Sequence, residues 1–289
     1  MDREDLLTED GRRFTVEFDA LAVALERLRL PVTSWYGGLP SYGVAFSVSG
    51  LKAVLKKLFA RDSAVGAEAT INRGGQDYES LPGVTRDDRH PWFLCWEAYW
   101  VMTHGPRLQT SHRVLDAGGT ASLFSCYLAS QGAEVHSVDL NQALVAAGQE
   151  IATRMQWNLK PACMDMTALE FPDDFFDHAY SICVFEHLDH AQRQRALKEI
   201  ARVLKPGGIL SITFDYGAPG VHLAGRGHDY DEKNLIRTPE DVDRHFLSAP
   251  EFDPLGNSRF EETGETYLAW PPAPEQRYTF GAIFLRKKG

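Results

Sequence analysis

Residues 112–120 read HRVLDAGGT. An apolar run that stops at an acid and two glycines is the pattern of a buried strand feeding a tight turn. The same alternation continues downstream. Residues 121–131 carry helical spacing, and AEVHSVDL (133–140) reads as a second strand. Asn141 then caps a helix that runs to about Trp157. PACMDM (161–166) and FFDHAYSICVF (175–185) are the next strands. Asp189 caps a helix whose core face is Ala196, Leu197, Ile200, Val203 and Leu204. That helix is expected to end at Lys205-Pro206-Gly207-Gly208: a cation, a breaker and a flexible turn. GILSITFDYG (208–217) is the following strand. Strands alternating with helices predict βαβ units and an α/β fold, with a parallel sheet covered on both faces.

Beyond this block, Thr238-Pro239-Glu240-Asp241 is a helix start, with a hydroxyl cap, Pro at the first position and acids in the first turn. That helix is expected to reach Phe246. ETYLAW (265–270) and RYTFGAIFLRKK (277–288) predict an antiparallel hairpin at one sheet edge. Upstream, residues 1–110 look different and predict a mainly helical cap, with residues 111–289 as the second domain. Phe18–Leu30 and Leu51–Phe59 have apolar residues at helical spacing, and Lys52, Lys56 and Lys57 form a solvated face. Residues 69–89 read as a loop. WFLCWEAYWVMTHG (92–105) is a further helix, in which Trp92, Trp96, Tyr99 and Trp100 recur at core spacing. The loop SWYGGLPSYG (34–43) is the better candidate for a pocket wall.

Composition narrows the function. With 30 Lys+Arg against 40 Asp+Glu, the formal charge is −10. Such a field repels a phosphate backbone, so nucleic-acid partners are not expected. Cys95, Cys126, Cys163 and Cys183 form no CxxC pair, which suits a reducing compartment and a cytoplasmic location. The N-terminus has no signal-peptide pattern. No apolar run approaches the roughly 20 residues that span a bilayer, so no membrane partner is expected.

Ligands of open parallel sheets bind beyond the carboxyl ends of the strands. Those ends deliver Asp116 to Thr120, Asp139 to Asn141, Asp165-Met166, and Ser181 to His187. Asp139 follows the glycines by about 20 residues, the offset at which a carboxylate accepts ribose hydroxyls. Its alternative is a helix cap. The turn DAGGTAS (116–122) is not GxGxxG, and Asp116 would oppose a pyrophosphate. A nucleoside with a cationic tail, such as S-adenosylmethionine, fits this turn better than a nicotinamide dinucleotide. Asp116 could equally bond only within its own turn. Asp165 could accept from an adenine amino group with Met166 near the ring, or be a solvated turn acid beside a core methionine.

The ordered series VLDAGGT, VDLN, MDM, FDHAYSICVFEHL and LKPGGIL resembles the motifs of class I, Rossmann-like S-adenosylmethionine-dependent methyltransferases over residues 112–216. The resemblance implies a Rossmann-like, seven-stranded, mostly parallel sheet with an antiparallel C-terminal hairpin. It also implies that Gly118 and Gly119 form the methionine-side loop, that Asp139 binds the ribose, and that Asp165 and Met166 flank adenine. Cys183 to His187 would close the site beneath the ligand. Asp116, Thr120 and Leu140 join them as cofactor contacts. The family pattern is DxGxGxG. Here Thr120 and Ser122 stand at the later glycine positions, and a β-branched residue at positive φ would be strained.

Methyl transfer from a sulfonium needs alignment, desolvation and, for an O–H or N–H acceptor, a base. His187 and then His228 are the catalytic candidates, with His222, Asp215, Tyr216 and Tyr230 nearby in sequence. Neither His222, His228 and Asp229 nor His187 and His190 have a recurring metal-ligand spacing, so no metal is expected. The expected acceptor is a small molecule. Competing readings are a non-catalytic scaffold that keeps this fold, and a nicotinamide-dependent oxidoreductase.

Overall fold

A computed structural model describes residues 3–35, 38–40, 90–217, 234–256, 259–262, 268–270 and 273–289. The expected helix at 51–59, the loop at 69–89, Tyr36, Tyr42, and the loop residues His222, His228, Asp229 and Tyr230 lie outside the described residues.

The strands are β1 (Arg113–Ala117), β2 (Glu134–Asp139), β3 (Leu159–Cys163), β4 (Phe176–Ile182), β5 (Leu204–Tyr216), β6 (Phe252–Pro254), β7 (Leu268–Trp270) and β8 (Ala273–Lys287). The main path of the sheet runs β3-β2-β1-β4-β5-β8-β6, and β7 pairs with β8 off that path. β1 pairs in parallel with β2 and β4, β2 with β3, and β4 with β5. β8 runs antiparallel to β5, β6 and β7. The mostly parallel, seven-strand path is therefore as expected. The β7–β8 hairpin also forms, with Leu268 opposite Tyr278, but the edge strand of the main path is the short β6.

The helices are α1 (Glu9–Arg27), α2 (Trp92–His104), α3 (Leu123–Ser130), α4 (Gln142–Met155), α5 (His190–Val203) and α6 (Pro239–Val242), the last continuing as a π turn over Asp243–Leu247. α1 begins well before Phe18. Thr8 caps it by accepting from the Gly11 amide at 3.0 Å, and Glu9 and Asp10 sit in its first turn. Asp189 and Gln192 form a reciprocal capping box on α5, and Thr238 and Asp241 do the same on α6. The stretch Lys205 to Gly208 falls within β5 rather than at a helix end. The β4–β5 register jumps there from Phe176–Leu204 to His178–Ile209.

Successive β1 residues face opposite layers. Val114 packs with Phe14, Phe18, Trp96, Phe124, Tyr180 and Phe280, whereas Leu115 packs with Val138, Leu197, Ile200, Phe214 and Phe246. The first layer includes the N-terminal helices. Trp92, Trp96 and Tyr99 are buried there, and Phe93 stacks on Phe280 at 5.1 Å. Strand order reverses between β1 and β4, the position beside which open α/β sheets bind their ligands.

Candidate active site

The turn after β1 is built around a buried acid. Asp116 is fully buried and accepts a hydrogen bond from the Ser125 hydroxyl, which also lies 2.8 Å from the Gly119 carbonyl. Burial pushes the Asp116 carboxyl up to about 7, against the Ser125 bond and with help from the charge of Asp139. The group therefore holds the turn together. A Cβ on Gly119 would lie 2.1 Å from an Asp116 oxygen, and one on Gly118, at φ +88°, would strike Val184. Both positions need glycine for space, and Gly118 needs it for conformation as well.

Thr120 and Ser122 solve the missing-glycine problem differently from expectation. The second left-handed residue is Ala121 at φ +61°, not Thr120. Thr120 is buried against Gly148 of α4. Ser122 caps α3 by accepting from the Ser125 amide at 3.0 Å. The N-terminal segment reaches this turn directly, because the Thr33 amide donates to the Ala121 carbonyl at 2.9 Å.

At the end of β2, Asp139 is half-buried and accepts from the Asn141 amide at 2.7 Å. Burial raises its carboxyl, opposed by the Asn141 and Leu140 amides. The capping role on α4 belongs to Asn141, which accepts from Ala143. Asp139 therefore bonds the Asn141 amide and is not the helix cap. Leu140 is 71% exposed, an apolar surface beside that carboxylate. After β3, Asp165 is exposed and accepts from the Thr167 amide at 2.8 Å, while Met166 is buried in the core with Leu169 and Phe176.

The ends of β4 and β5 are chemically different. Cys183 sits at φ +50°, its amide 3.2 Å from both oxygens of Thr213 on β5. Its Sγ donates to Glu97 Oε1 of α2 at 2.7 Å. Glu97 is 1% exposed and Glu186, in the turn Phe185–His187, is 5% exposed. Asp215 of β5 completes the group. Cys183 Sγ and one carboxylate oxygen each from Glu186 and Asp215 lie within 4.8 Å of one another. Burial pushes Glu97 up to about 8 and Asp215 up to about 7. It raises Glu186 and the Cys183 thiol well above their usual ranges, helped by the neighbouring carboxylates. Sequence reading reached Cys183 and Asp215 and placed Glu186 only within the segment from Cys183 to His187 that closes the site, but it missed Glu97. Glu97 sits in an apolar helix, where an acid among aromatics was the one available signal.

His187 ends the same turn, with Nε2 3.8 Å from Glu186 Oε1. His190 points elsewhere. At the start of α5, its Nδ1 lies 3.0 Å from Nδ1 of the buried His245 in the π turn, so the two histidines of the EHLDH run do not converge. Among the described residues, no helix is long and apolar enough to cross a membrane.

A family described as a methyltransferase domain matches residues 115–212. The curated relatives include the ubiquinone/menaquinone biosynthesis C-methyltransferases UbiE of Nitrosospira multiformis and Pseudoalteromonas translucida. The first is 33% identical over 120 residues, covering 40% of this chain and 48% of the relative. The second is 28% identical over 148 residues, covering 50% and 57%. The chain thus spans about half the length of the curated relatives it matches. Among solved structures, the [4+2]-cyclase SpnF superposes with a TM-score of 0.54 at 21% identity, covering 70% of this chain and 84% of that one. A geranyl diphosphate C-methyltransferase from Streptomyces coelicolor A3(2) gives 0.51 at 13% identity, covering 70% and 80%. At these identities the structures speak to the fold alone. The match to a methyltransferase-domain family and the order of the strand-end motifs make residues 115–212 similar to class I, Rossmann-like methyltransferases that use S-adenosylmethionine.

Proposed function

We propose that the protein transfers the methyl group of S-adenosylmethionine to a small-molecule acceptor. The observation that carries this reading is the division of labour between two acids of the crevice. Asp116 is buried and committed to Ser125, while Asp139 is half-buried at the next strand end, with Asn141 relieving it of capping. A carboxylate left at that position suits a ribose and not a pyrophosphate. The nicotinamide reading has no comparable support.

In this reading Asp139 grips the ribose hydroxyls, Leu140 and Asp165 border the adenine, and the Gly118-Gly119 turn passes close to the methionine end. Thr120 supports the turn from beneath by packing on Gly148. Cys183 to His187 line the methyl side. His187, held beside Glu186, accepts the proton that an O–H, N–H or activated C–H acceptor gives up as its lone pair attacks the methyl carbon. The sulfur leaves as a neutral thioether. The UbiE relatives are named as C-methyltransferases of quinone biosynthesis, which makes hydroxylated aromatic carbon acids the first acceptors to try.

The test is calorimetry of the intact protein with S-adenosylmethionine, followed by an assay for S-adenosylhomocysteine over a panel of phenolic and amine acceptors. Saturable binding with acceptor-dependent product supports the reading. Absence of binding at millimolar ligand removes it. Binding without turnover on any acceptor returns the fold to the scaffold reading.

A further inference from the structure

We propose that Cys183, Glu186 and Asp215 form a divalent-cation site of zinc-class chemistry, with Glu97 as an additional oxygen donor. No spacing in the sequence suggests it, because the donors come from α2, the end of β4, the turn after it, and β5. The fold brings them together. The sulfur and the two carboxylate oxygens lie within 4.8 Å of one another, and Glu97 Oε1 is 2.7 Å from the sulfur. Tetrahedral donors with bonds of about 2.0–2.3 Å stand about 3.3–3.8 Å apart, so on ion entry the outer donors close in while the Cys183 sulfur and the Glu97 oxygen separate.

Glu186 supplies the independent observation. It is 5% exposed, and its Oε2 is buried with no hydrogen-bond partner among the described residues. An orphaned carboxyl oxygen inside a protein is costly, and such a group calls for a ligand. The neighbouring cation, Arg193, directs Nε to the Phe185 carbonyl at 2.8 Å and NH2 to that of Glu186 at 3.4 Å. It braces the turn's backbone and leaves that carboxylate oxygen unmet.

The sulfur distinguishes a metal from an organic ammonium. Ammonium hydrogens gain from carboxylates and little from a thiol, whereas a thiolate with carboxylates suits a borderline ion such as Zn²⁺. On binding, the Cys183 S–H bond breaks and a metal–sulfur bond forms. The thiol proton and any carboxyl protons pass to solvent, the ion sheds water, and no electron moves. With Cys183, Glu186 and Asp215 bound, displacement of Glu97 from the fourth position opens it to an acceptor oxygen. That last role rests on the methyl-transfer reading; metal binding does not.

The experiment uses the full chain after chelator treatment, titrated with Zn²⁺ alone by calorimetry and with Co²⁺ by absorption spectroscopy. No S-adenosylmethionine is present, so failure here leaves the methyl-transfer reading standing. The expected result is one equivalent bound, with a sulfur-to-cobalt charge-transfer band. C183S should abolish the band and weaken Zn²⁺ binding at least tenfold. D215N should weaken binding at least tenfold while keeping the band. C163S, which removes an exposed thiol outside the cluster, should change neither. Melting curves establish that each variant is folded. The proposal is overturned if the wild-type protein shows no saturable uptake, or if the band survives C183S and disappears in C163S.

Discussion

On the β1–β2–β3 side of the crevice, polar groups find partners within a few residues: Asp139 with the Asn141 amide, Asp165 with Thr167, Ser122 with Ser125. On the β4–β5 side, pairing of β4 with β5 brings Cys183, Glu186 and Asp215 together, and α2 adds Glu97. The first side is a set of local turns that present a carboxylate and an apolar surface. Burial raises acids on both sides, Asp116 and Asp139 on the first, but the second gathers three of them, Glu97, Glu186 and Asp215, around one thiol. Binding a cofactor needs groups already satisfied and in place, so that little reorganisation accompanies ligand entry. Handling a proton or a cation needs groups whose charge is not yet settled.

Substitutions can break or sharpen this contrast. The largest expected effect is on the β4–β5 side. His187→Gln should lower kcat about 10²–10⁴-fold, the usual contribution of a general base, and leave S-adenosylmethionine affinity within about twofold. A loss of affinity with kcat preserved would move His187 to the cofactor side.

The next test concerns the acid buried beneath the turn after β1. The folded-state value of Asp116 is raised to about 7 from an ordinary 3.8. The folded protein therefore holds that proton where the unfolded chain releases it, and stability falls as pH rises from about 4 to 7, then levels. Asp116→Asn should flatten that slope, by up to about 4 kcal/mol across the window, in denaturant melts recorded at several pH values. An unchanged slope would show that Asp116 is ionised and paired.

Gly119→Ala follows. Its Cβ would overlap the Asp116 carboxylate, so we expect about 1–3 kcal/mol of destabilisation together with loss of cofactor affinity, read by thermal melting and calorimetry. Asp139→Ala should separate those two quantities. A charge-assisted hydrogen bond to ribose is worth about 1.5–3 kcal/mol, so affinity should fall about 10- to 100-fold with little change in melting temperature. Equal losses in both would mean that the carboxylate serves the fold. The smallest effect is expected for Asp165→Asn. The residue is exposed and bonded only locally among the described partners, so affinity should drop a few-fold and stability should stay within about 0.5 kcal/mol.

The strand-and-helix alternation from 112 to 216 was legible because its signals are short-range. A cap lies one residue from its helix, and a face repeats every two or 3.6 residues. Misplaced boundaries have the same origin. α1 begins at Glu9 because Thr8 caps it, a signal masked by the charged residues around it. Lys205 to Gly208 read as a helix end, yet tertiary pairing of β4 with β5 absorbs them as an irregularity in the strand register. The short β6 carries too little pattern to be seen alone, and its partner β8 defines it.

The order of the strand-end motifs was thus a property of the sequence. It placed Gly118, Gly119, Asp139 and Asp165 at neighbouring strand ends, because a parallel sheet returns each strand end to the same edge. Which acids meet across that edge was decided by packing. Glu97 is just an acid in an aromatic helix until α2 lies against β5 and β8, and Thr120 gives no sign that Ala121 takes the left-handed position in its place. Sequence spacing specifies neighbours along one element. Contacts between distant elements depend on how apolar faces stack, and that information is spread over the whole core.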